Sequence, residues 1–474
     1  MSSPANPHLD DANLSTTTPA FPDAPTPRPR RSQWDRIGNA VGWPLAIILM
    51  AHRFFILAIN GSVTDDFTTV YSALRRFIEG TPVYNEIYHH VDPHYLYNPG
   101  ATLLLAPLGY ITDFTLARLA FIAVNLVAIV IALGIMTRMV GFALRSMVWP
   151  LSIALAMLTE TVQNTLIFSN INGILLLMMV LFLWCVIHEK SWIGGLIIGL
   201  AILVKPMFLP LLFLPLVKKQ WGALIIGVLM PVAFNLAAWP LVPGASDYIT
   251  RTMPYLGETR DFANSSLPGL AIYFGMPSWM ELTWFLVFGF MVGIAVLALL
   301  RFRNTEPFFW AATTSGILLT GVFFLSSLGQ MYYSMMIFPM IFTLLTPRSV
   351  FHNWVAWMAA FLFLTPSTFA SPHWPDIARW VEFFRATAGW GLLIAVTFVS
   401  AVIWFMADIR KKRGGSSVGE DPTLSGGANG GIIPPASSGL FTAGGSTPMG
   451  GPAAADGGFD FPTNSPPETS PKNI

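Results

Sequence analysis

Apolar runs of about 18–20 residues recur along most of this chain, and no other feature restricts its fold as strongly. A helix of that length covers the roughly 30 Å hydrocarbon core of a bilayer. In that medium every backbone N–H and C=O must be paired within the protein, which leaves helices or closed barrels. Barrel strands alternate apolar and polar residues over about ten positions. The runs here are continuous, so the expected fold is an all-α polytopic membrane protein with about 10–13 membrane segments. Composition agrees: 54% of residues are hydrophobic and 11% charged, against about 25% charged in soluble domains. The single cysteine, Cys185, lies inside an apolar run, so it has no intramolecular disulfide partner and reads as a packing residue. The chain has no phosphate-cradling Walker loop, no dinucleotide fingerprint and no Ser-His-Asp order. A cytoplasmic nucleotide-driven machine is thereby disfavoured, and nothing points to nucleic acid.

Residues 1–34 are rich in Pro, Thr, Ser and Asp, and 411–474 in Gly, Pro and Ser. Neither stretch carries enough apolar surface to fold, so both are expected to be disordered cytoplasmic tails around one membrane domain, 35–410. The first apolar run exceeds a signal-peptide core and lacks a small-residue cleavage site, and is read as an uncleaved anchor. Two segments look irregular: 99–112 is short, and 191–217 is broken at Lys205-Pro206. Irregular backbone is tolerated at membrane depth only against protein or a wet cavity. Arg28, Arg30, Arg31 and Arg36 precede the first span, Arg410, Lys411, Lys412 and Arg413 follow the last, and Lys218, Lys219, Arg301 and Arg303 fall in short loops. The positive-inside rule then places both termini in the cytoplasm of a plasma-membrane protein. The acids, among them Asp65, Asp66, Glu79, Glu86, Asp247, Glu258 and Glu382, gather on the outer side. Arg138 and Arg145 fit this scheme if 99–112 turns back.

The most informative stretch is Thr64 to Tyr71, directly after the first span. From Phe67 to Ile78 the apolar residues Phe67, Val70, Tyr71, Leu74, Phe77 and Ile78 share one helical face, with Arg75, Arg76 and Glu79 opposite and Gly80 at the stop. A short interfacial helix is expected, with Asp65 and Asp66 at its N-terminus. One of them caps the helix. The other has no structural duty, and a carboxylate beside a like charge in poorly hydrated surroundings moves toward a useful general base. Tyr84, Asn85, Tyr88, His89, His90, Asp92, His94, Tyr95, Tyr97 and Asn98 follow, a mixture that suits sugar binding or an interfacial aromatic belt. The histidines follow no standard zinc spacing; no cofactor is assigned, and a divalent metal stays open as the alternative. His52, Arg53 and Lys205 are ionisable residues at membrane depth, where charge is costly and often functional. Arg53 can instead snorkel. The Asn264-to-Gly269 turn, Gln330, Tyr332 and Tyr333, the asparagines Asn164, Asn170 and Asn172, and the cationic residues Arg251, Arg260 and His373 complete the outer candidates.

In their order these elements resemble the polyprenol-phosphate-sugar-dependent glycosyltransferases of the GT-C fold, a family with actinobacterial mannosyl- and arabinofuranosyltransferases. The likeness is carried by Asp66-Phe67-Thr68-Thr69-Val70-Tyr71, Gly80-Thr81-Pro82-Val83-Tyr84 and Tyr97-Asn98-Pro99 with Ala106-Pro107-Leu108. Further along it rests on Asn170-Ile171-Asn172, Gly195-Leu196-Ile197-Ile198-Gly199-Leu200 running into Lys205-Pro206, the Asn264 turn, and Gln330-Met331-Tyr332-Tyr333 with Pro339. It covers about residues 43–410. Thr-Asp-Asp-Phe-Thr-Thr-Val-Tyr and Ser-Leu-Gly-Gln-Met-Tyr-Tyr-Ser are most similar to the α-1,3-branching arabinofuranosyltransferases within that family. The resemblance implies a GT-C-like bundle with short interfacial helices and an outward-facing cavity. It implies decaprenyl-phosphoryl-arabinofuranose as donor and arabinan, or galactan-linked arabinan, as acceptor, in contact with membrane lipids. Asp66 or Asp65 would be the base of an inverting transfer; the chain has one residue more than the family between the acid and Val70, so both remain. Lys205, Arg53 and His94 would hold the lipid phosphate, and Tyr71, Tyr84, Tyr97, Asn98, Asn172, Asn264, Gln330 and Tyr332 the sugars. A mannosyl donor keeps the same chemistry. A transporter should show paired broken helices in two halves, and one clear break is present; a scaffold of a cell-wall complex would leave the paired acids replaceable.

Overall fold

The apolar runs become helices because no other local structure pairs their backbone groups in lipid. A computed structural model describes residues 33–61, 66–88, 94–261, 263–366, 369 and 371–415, and among these every regular element is helical. Six helices are long and apolar enough to cross a membrane: Gln33–Ala58, Phe114–Met139, Trp221–Ala238, Ser278–Phe302, Pro307–Leu325 and Pro375–Arg410. Six shorter apolar ones lie between them, including Val148–Met157, Asn172–Ile187, Ser191–Val204 and Trp354–Leu364. The tails beyond residue 415 and before residue 33 lie outside the described residues.

Labels used below are α1 (Gln33–Ala51, continued by a π-helical turn His52–Ala58), α2 (Asp66–Ile78), α3 (Pro99–Leu105), α4 (Phe114–Met139), α5 (Val148–Met157), α6 (Glu160–Ile167), α7 (Asn172–Ile187), α8 (Ser191–Val204), α9 (Trp221–Ala238), α10 (Ser278–Leu299), α11 (Pro307–Leu325) and α12 (Pro375–Gly415). Where they touch, α8 and α9 approach closely because a side chain on Gly195 would come within 2.9 Å of the Ala223 backbone, the small-residue crossing common in lipid. Trp310, Trp390, Phe182, Phe309 and Phe323 fill the bundle's centre, while Ile225, Leu229, Leu286 and Phe290 point outward. In a bilayer such outward apolar side chains face acyl chains, so their exposure costs nothing.

Polar residues separate to two rims at opposite ends of the helices. At one end, Arg301 after α10 pairs with Asp408 of α12, and Arg348 pairs with Glu306 at 3.0 Å. The Arg145 carbonyl accepts from Asn39 of α1 at 3.0 Å, and the Met147 amide donates to Asp35. Arg145 therefore shares the rim where α1 begins. At the other end, α1 finishes beside α4, where Arg118 donates to the Ala58 carbonyl at 2.9 Å. The 99–112 segment is irregular and does not cross the bundle. It runs as α3 and a 3₁₀ turn over Ala106–Tyr110, with Asn98 donating to the Leu203 carbonyl at its start and the Ile111 carbonyl accepting from Tyr71 at its end. Twelve helical residues reach only about 18 Å, too short to cross.

The long loops at this second rim need an internal fastening, and Asn264 supplies one. Its carboxamide oxygen accepts from the amides of Ser266 at 3.1 Å and Gly329 at 2.9 Å; its nitrogen donates to the carbonyls of Arg260 and Ser327. Ser327 also donates to the Leu256 carbonyl at 2.9 Å. The loop before residue 267 is thus tied to the segment between α11 and Gln330. Asn264→Ala removes four hydrogen bonds and leaves backbone groups unpaired, at about 1 kcal/mol or more each. A melting midpoint several degrees lower is expected in nanodiscs, and an unaltered midpoint would show that another contact holds the loop.

Candidate active site

The site starts from α2. Its buried face is the one the periodicity implies: Phe67, Val70, Tyr71, Ala73 and Leu74 are all buried. Phe67 packs between Phe114 and Phe121 of α4, and the Tyr71 hydroxyl donates to the Ile111 carbonyl at 2.7 Å. The helix stops in a Schellman motif. The Thr81 amide donates to the Arg76 carbonyl and the Gly80 amide to the Phe77 carbonyl, with Gly80 at φ +71°. Arg75 is tied to Glu79 at 2.7 Å and to the Gly109 carbonyl; Arg76 is tied to Glu86 at 2.6 Å and to the Val83 carbonyl. Packing on one face and ion pairs on the other fix the helix, and with it the position of Asp66 at its first turn. The helix dipole there favours a charged carboxylate. Asp65, His89, His90 and Asp92 lie outside the described residues.

Asp66 Oδ2 accepts a hydrogen bond from the Tyr332 hydroxyl at 3.2 Å. Tyr332 stands on the 3₁₀ helix Met331–Ile337, edge-on to Tyr333 with ring centres 5.1 Å apart. Its carbonyl is held by the Thr161 hydroxyl of α6 at 2.5 Å. The other side of the same tyrosine pair meets a cation: Lys205 Nζ is 4.8 Å from the Tyr333 ring centre and 5.8 Å from that of Tyr332. Lys205 occupies the break between α8 and the Pro206–Leu212 turn, in extended conformation with φ −135°. Pro206 disfavours a helical residue before it, so the chain opens there and the ammonium projects from the bundle wall. It donates to Asn172 Oδ1 at 2.8 Å, at the first turn of α7. Asn172 is itself positioned by its amide donating to Asn170 Oδ1 at 3.1 Å. An acid and an ammonium thus meet on one aromatic pair. Among the described residues the ammonium's hydrogen-bond partner is this neutral amide, which leaves its charge available for an anion.

The expected site residues divide into two groups. Asp66, Lys205, Asn172 and Tyr332 converge, and Tyr97 stands within electrostatic reach of Asp66. Burial first, and the Asp66 charge next, push the Tyr97 hydroxyl well above the ordinary phenol range, so it stays a neutral donor. Gln330 opens the Tyr332 turn. The others are committed to the framework. Tyr84 is fully buried and its hydroxyl donates to the Tyr97 carbonyl at 2.9 Å; burial raises its pKa above the usual value. Tyr71 is taken by the Ile111 carbonyl and Asn264 by four backbone groups. Asn98 caps α3 through Ala101 while bracing Leu203. Arg53 donates to the Met157 carbonyl at 2.9 Å. His94 lies 3.5 Å from Glu86 and packs against Tyr88 and Tyr255. Among the described residues no group of three acids, histidines or cysteines is arranged to hold a metal ion.

Three supporting residues escape a reading by motif. Thr161 holds Tyr332, Asn235 accepts from the Gly100 amide at 3.0 Å, and Arg118 joins α1 to the end of α6 through the Ile167 carbonyl. Each is a lone polar residue inside or beside an apolar run, a signal of a buried bond but not of its partner.

The helices are those of a multi-pass membrane protein, and residues 95–327 match the model of Glycosyltransferase family 87. An alpha-(1->3)-arabinofuranosyltransferase of Corynebacterium glutamicum is 79% identical over 407 residues, covering 86% of this chain and 97% of that protein. Enzymes of the same description from Mycobacterium tuberculosis and Mycolicibacterium smegmatis are 44% and 42% identical, over 77% and 81% of this chain and 84% and 90% of theirs. The chain belongs to glycosyltransferase family 87.

Two hydroxyl deletions separate framework from site. Tyr71→Phe loses a bond to a backbone carbonyl and is expected to lower the melting midpoint, at a cost of about 1 kcal/mol. Tyr332→Phe takes from Asp66 a charge-assisted partner, and a turnover reduced about tenfold or more is expected. Equal effects of both on turnover per folded molecule would remove the distinction.

Proposed function

We propose that this protein transfers arabinofuranose from decaprenyl-phosphoryl-arabinofuranose to an arabinan chain, forming an α-1,3 branch with inversion at the anomeric carbon. The observation that carries this reading is the meeting of the Asp66 carboxylate and the Lys205 ammonium on the Tyr332–Tyr333 pair. The names of the relatives supply the sugar and the linkage. Asp66 takes the proton of the acceptor hydroxyl. The freed oxygen attacks the anomeric carbon from the face opposite the phosphate, a new C–O bond forms, and the bond from that carbon to the phosphate oxygen breaks with its electron pair on the phosphate. Lys205, oriented by Asn172, steadies the departing lipid phosphate. Tyr332 and Tyr97 keep Asp66 in position and present neutral hydroxyls to the sugars. The leaving phosphate makes the step favourable, so the chemistry requires no nucleotide. The donor's chain lies in the bilayer, which suits a site at the ends of spanning helices.

The site rim faces the cell exterior, and the rim holding Arg145, Arg301 and Arg348 faces the cytoplasm, in accord with the positive-inside rule. Cys185 is buried, so introduced cysteines can be labelled against a quiet background. Glu258→Cys is expected to react with a membrane-impermeant maleimide in intact cells, and Lys219→Cys only after permeabilisation. The reverse pattern would invert the topology.

The decisive assay uses purified protein in nanodiscs, synthetic decaprenyl-phosphoryl-arabinofuranose and a short arabinan. Arabinose transfer is expected, with Asp66→Asn slower by about 10²- to 10⁴-fold, the usual share of a general base. Asp65→Asn, run in parallel, identifies the base if Asp66→Asn retains activity. Transfer from polyprenyl-phosphate-mannose alone would reassign the donor, and no transfer from either would sink the enzyme assignment.

A further inference from the structure

The outer rim carries several arginines, and their partners sort them. Arg75, Arg76 and Arg385 are each paired with a glutamate within 3.2 Å, and Arg251 lies 3.9 Å from Asp247. Arg118 spends its donors on the carbonyls of Ala58 and Ile167. Arg260 differs. Among the described residues its guanidinium has no ion pair or hydrogen bond; it sits over the Tyr255 ring, 4.9 Å from the centre. It is only partly buried. Its backbone is fixed on both sides, by Asn264 at the Arg260 carbonyl and by Ser327 at the Leu256 carbonyl. The same two residues anchor the segment that leads into Gln330 and Tyr333. As a result Arg260 is joined through one side chain, Asn264, to Gly329, next to the turn whose Tyr332 and Tyr333 rings meet Lys205.

We infer that Arg260 is a second cation of the phosphate subsite, binding the phosphoryl oxygens of the polyprenyl donor together with Lys205. The inference rests on the transfer reading above and adds a residue and a charge count to it. The donor is a phosphodiester with one negative charge. The departing polyprenyl phosphate is a monoester, which carries nearly two at neutral pH. One ammonium balances the ground state, and the charge that develops as the C–O bond breaks calls for a second cation. A guanidinium is suited to it, because its planar fork meets two phosphoryl oxygens and stays charged at every working pH. Stacking on Tyr255, itself packed against Tyr88 and His94, orders that fork without consuming its N–H groups.

The test separates Arg260 from the identity of the sugar, because it reads the product lipid directly. Binding of decaprenyl phosphate to the full chain in phosphatidylcholine nanodiscs is measured for wild type, Arg260→Gln and Arg260→Lys, alongside inorganic phosphate and nanodiscs containing phosphatidylglycerol. Arg260→Gln keeps a flat side chain on Tyr255, so its melting midpoint should stay near wild type. Loss of a charged hydrogen bond should weaken decaprenyl phosphate about ten- to a hundredfold, with Arg260→Lys between. Where turnover is observed, kcat should fall with it while the acceptor KM holds. Equal affinity of wild type and Arg260→Gln for decaprenyl phosphate overturns the inference, whatever sugar is transferred. So does a raised acceptor KM with unchanged lipid affinity, which would assign Arg260 to the acceptor, or competition by phosphatidylglycerol as strong as by decaprenyl phosphate, which would make it a general headgroup contact. If Arg260→Gln fails to fold, Arg260→Lys carries the same comparison.

Discussion

Every break in a membrane helix releases backbone groups that lipid cannot satisfy, and the site exists because this protein meets that demand with side-chain amides. Asn98 closes the start of α3 and holds the end of α8 at Leu203. Asn235 holds the Gly100 amide, and Asn125 of α4 accepts from the Ile174 amide of α7. Asn264 joins two loops through four bonds. These amides let the chain open at the rim without leaving backbone groups unpaired. Lys205 stands in one such opening and Tyr332 in another, and Asp66, at the start of α2, accepts from the Tyr332 hydroxyl.

The chemistry follows from the low dielectric of that rim. A carboxylate and an ammonium in water attract only weakly, and in a poorly hydrated cleft they interact far more strongly. A direct ion pair would quench both. Here the Tyr332–Tyr333 pair stands at both groups: Asp66 takes a hydroxyl and Lys205 takes a ring face. The opposite rim shows the contrast, since Arg301 with Asp408 and Arg348 with Glu306 are direct ion pairs, suited to joining helices and not to catalysis.

The tyrosines illustrate how one residue type serves two purposes. Tyr71, Tyr84 and Tyr95 turn their hydroxyls to the backbone carbonyls or to Thr102 and make the outer loops rigid. Tyr97, Tyr332 and Tyr333 surround Asp66.

Much was legible in the linear chain. Continuous apolar runs imply membrane helices, the spacing from Phe67 to Ile78 implies an interfacial helix with its acid at the start, and Lys205-Pro206 marks a break. These are local properties, set by backbone hydrogen bonding, periodicity and the ring of proline. The shortness of 99–112 also marked it as irregular, and it runs as α3 and a 3₁₀ turn. Partners could not be read in this way. Nothing near Tyr84 or Asn264 in sequence shows that carbonyls and amides from distant segments consume their polar groups, while Tyr332 and Asn172 turn theirs to Asp66 and Lys205. Thr161 has no motif, and Arg260 differs from Arg76 only in what surrounds it. Tertiary structure decided these points, because a side chain's role depends on which groups reach it first, and in this bundle those groups come from elsewhere in the chain.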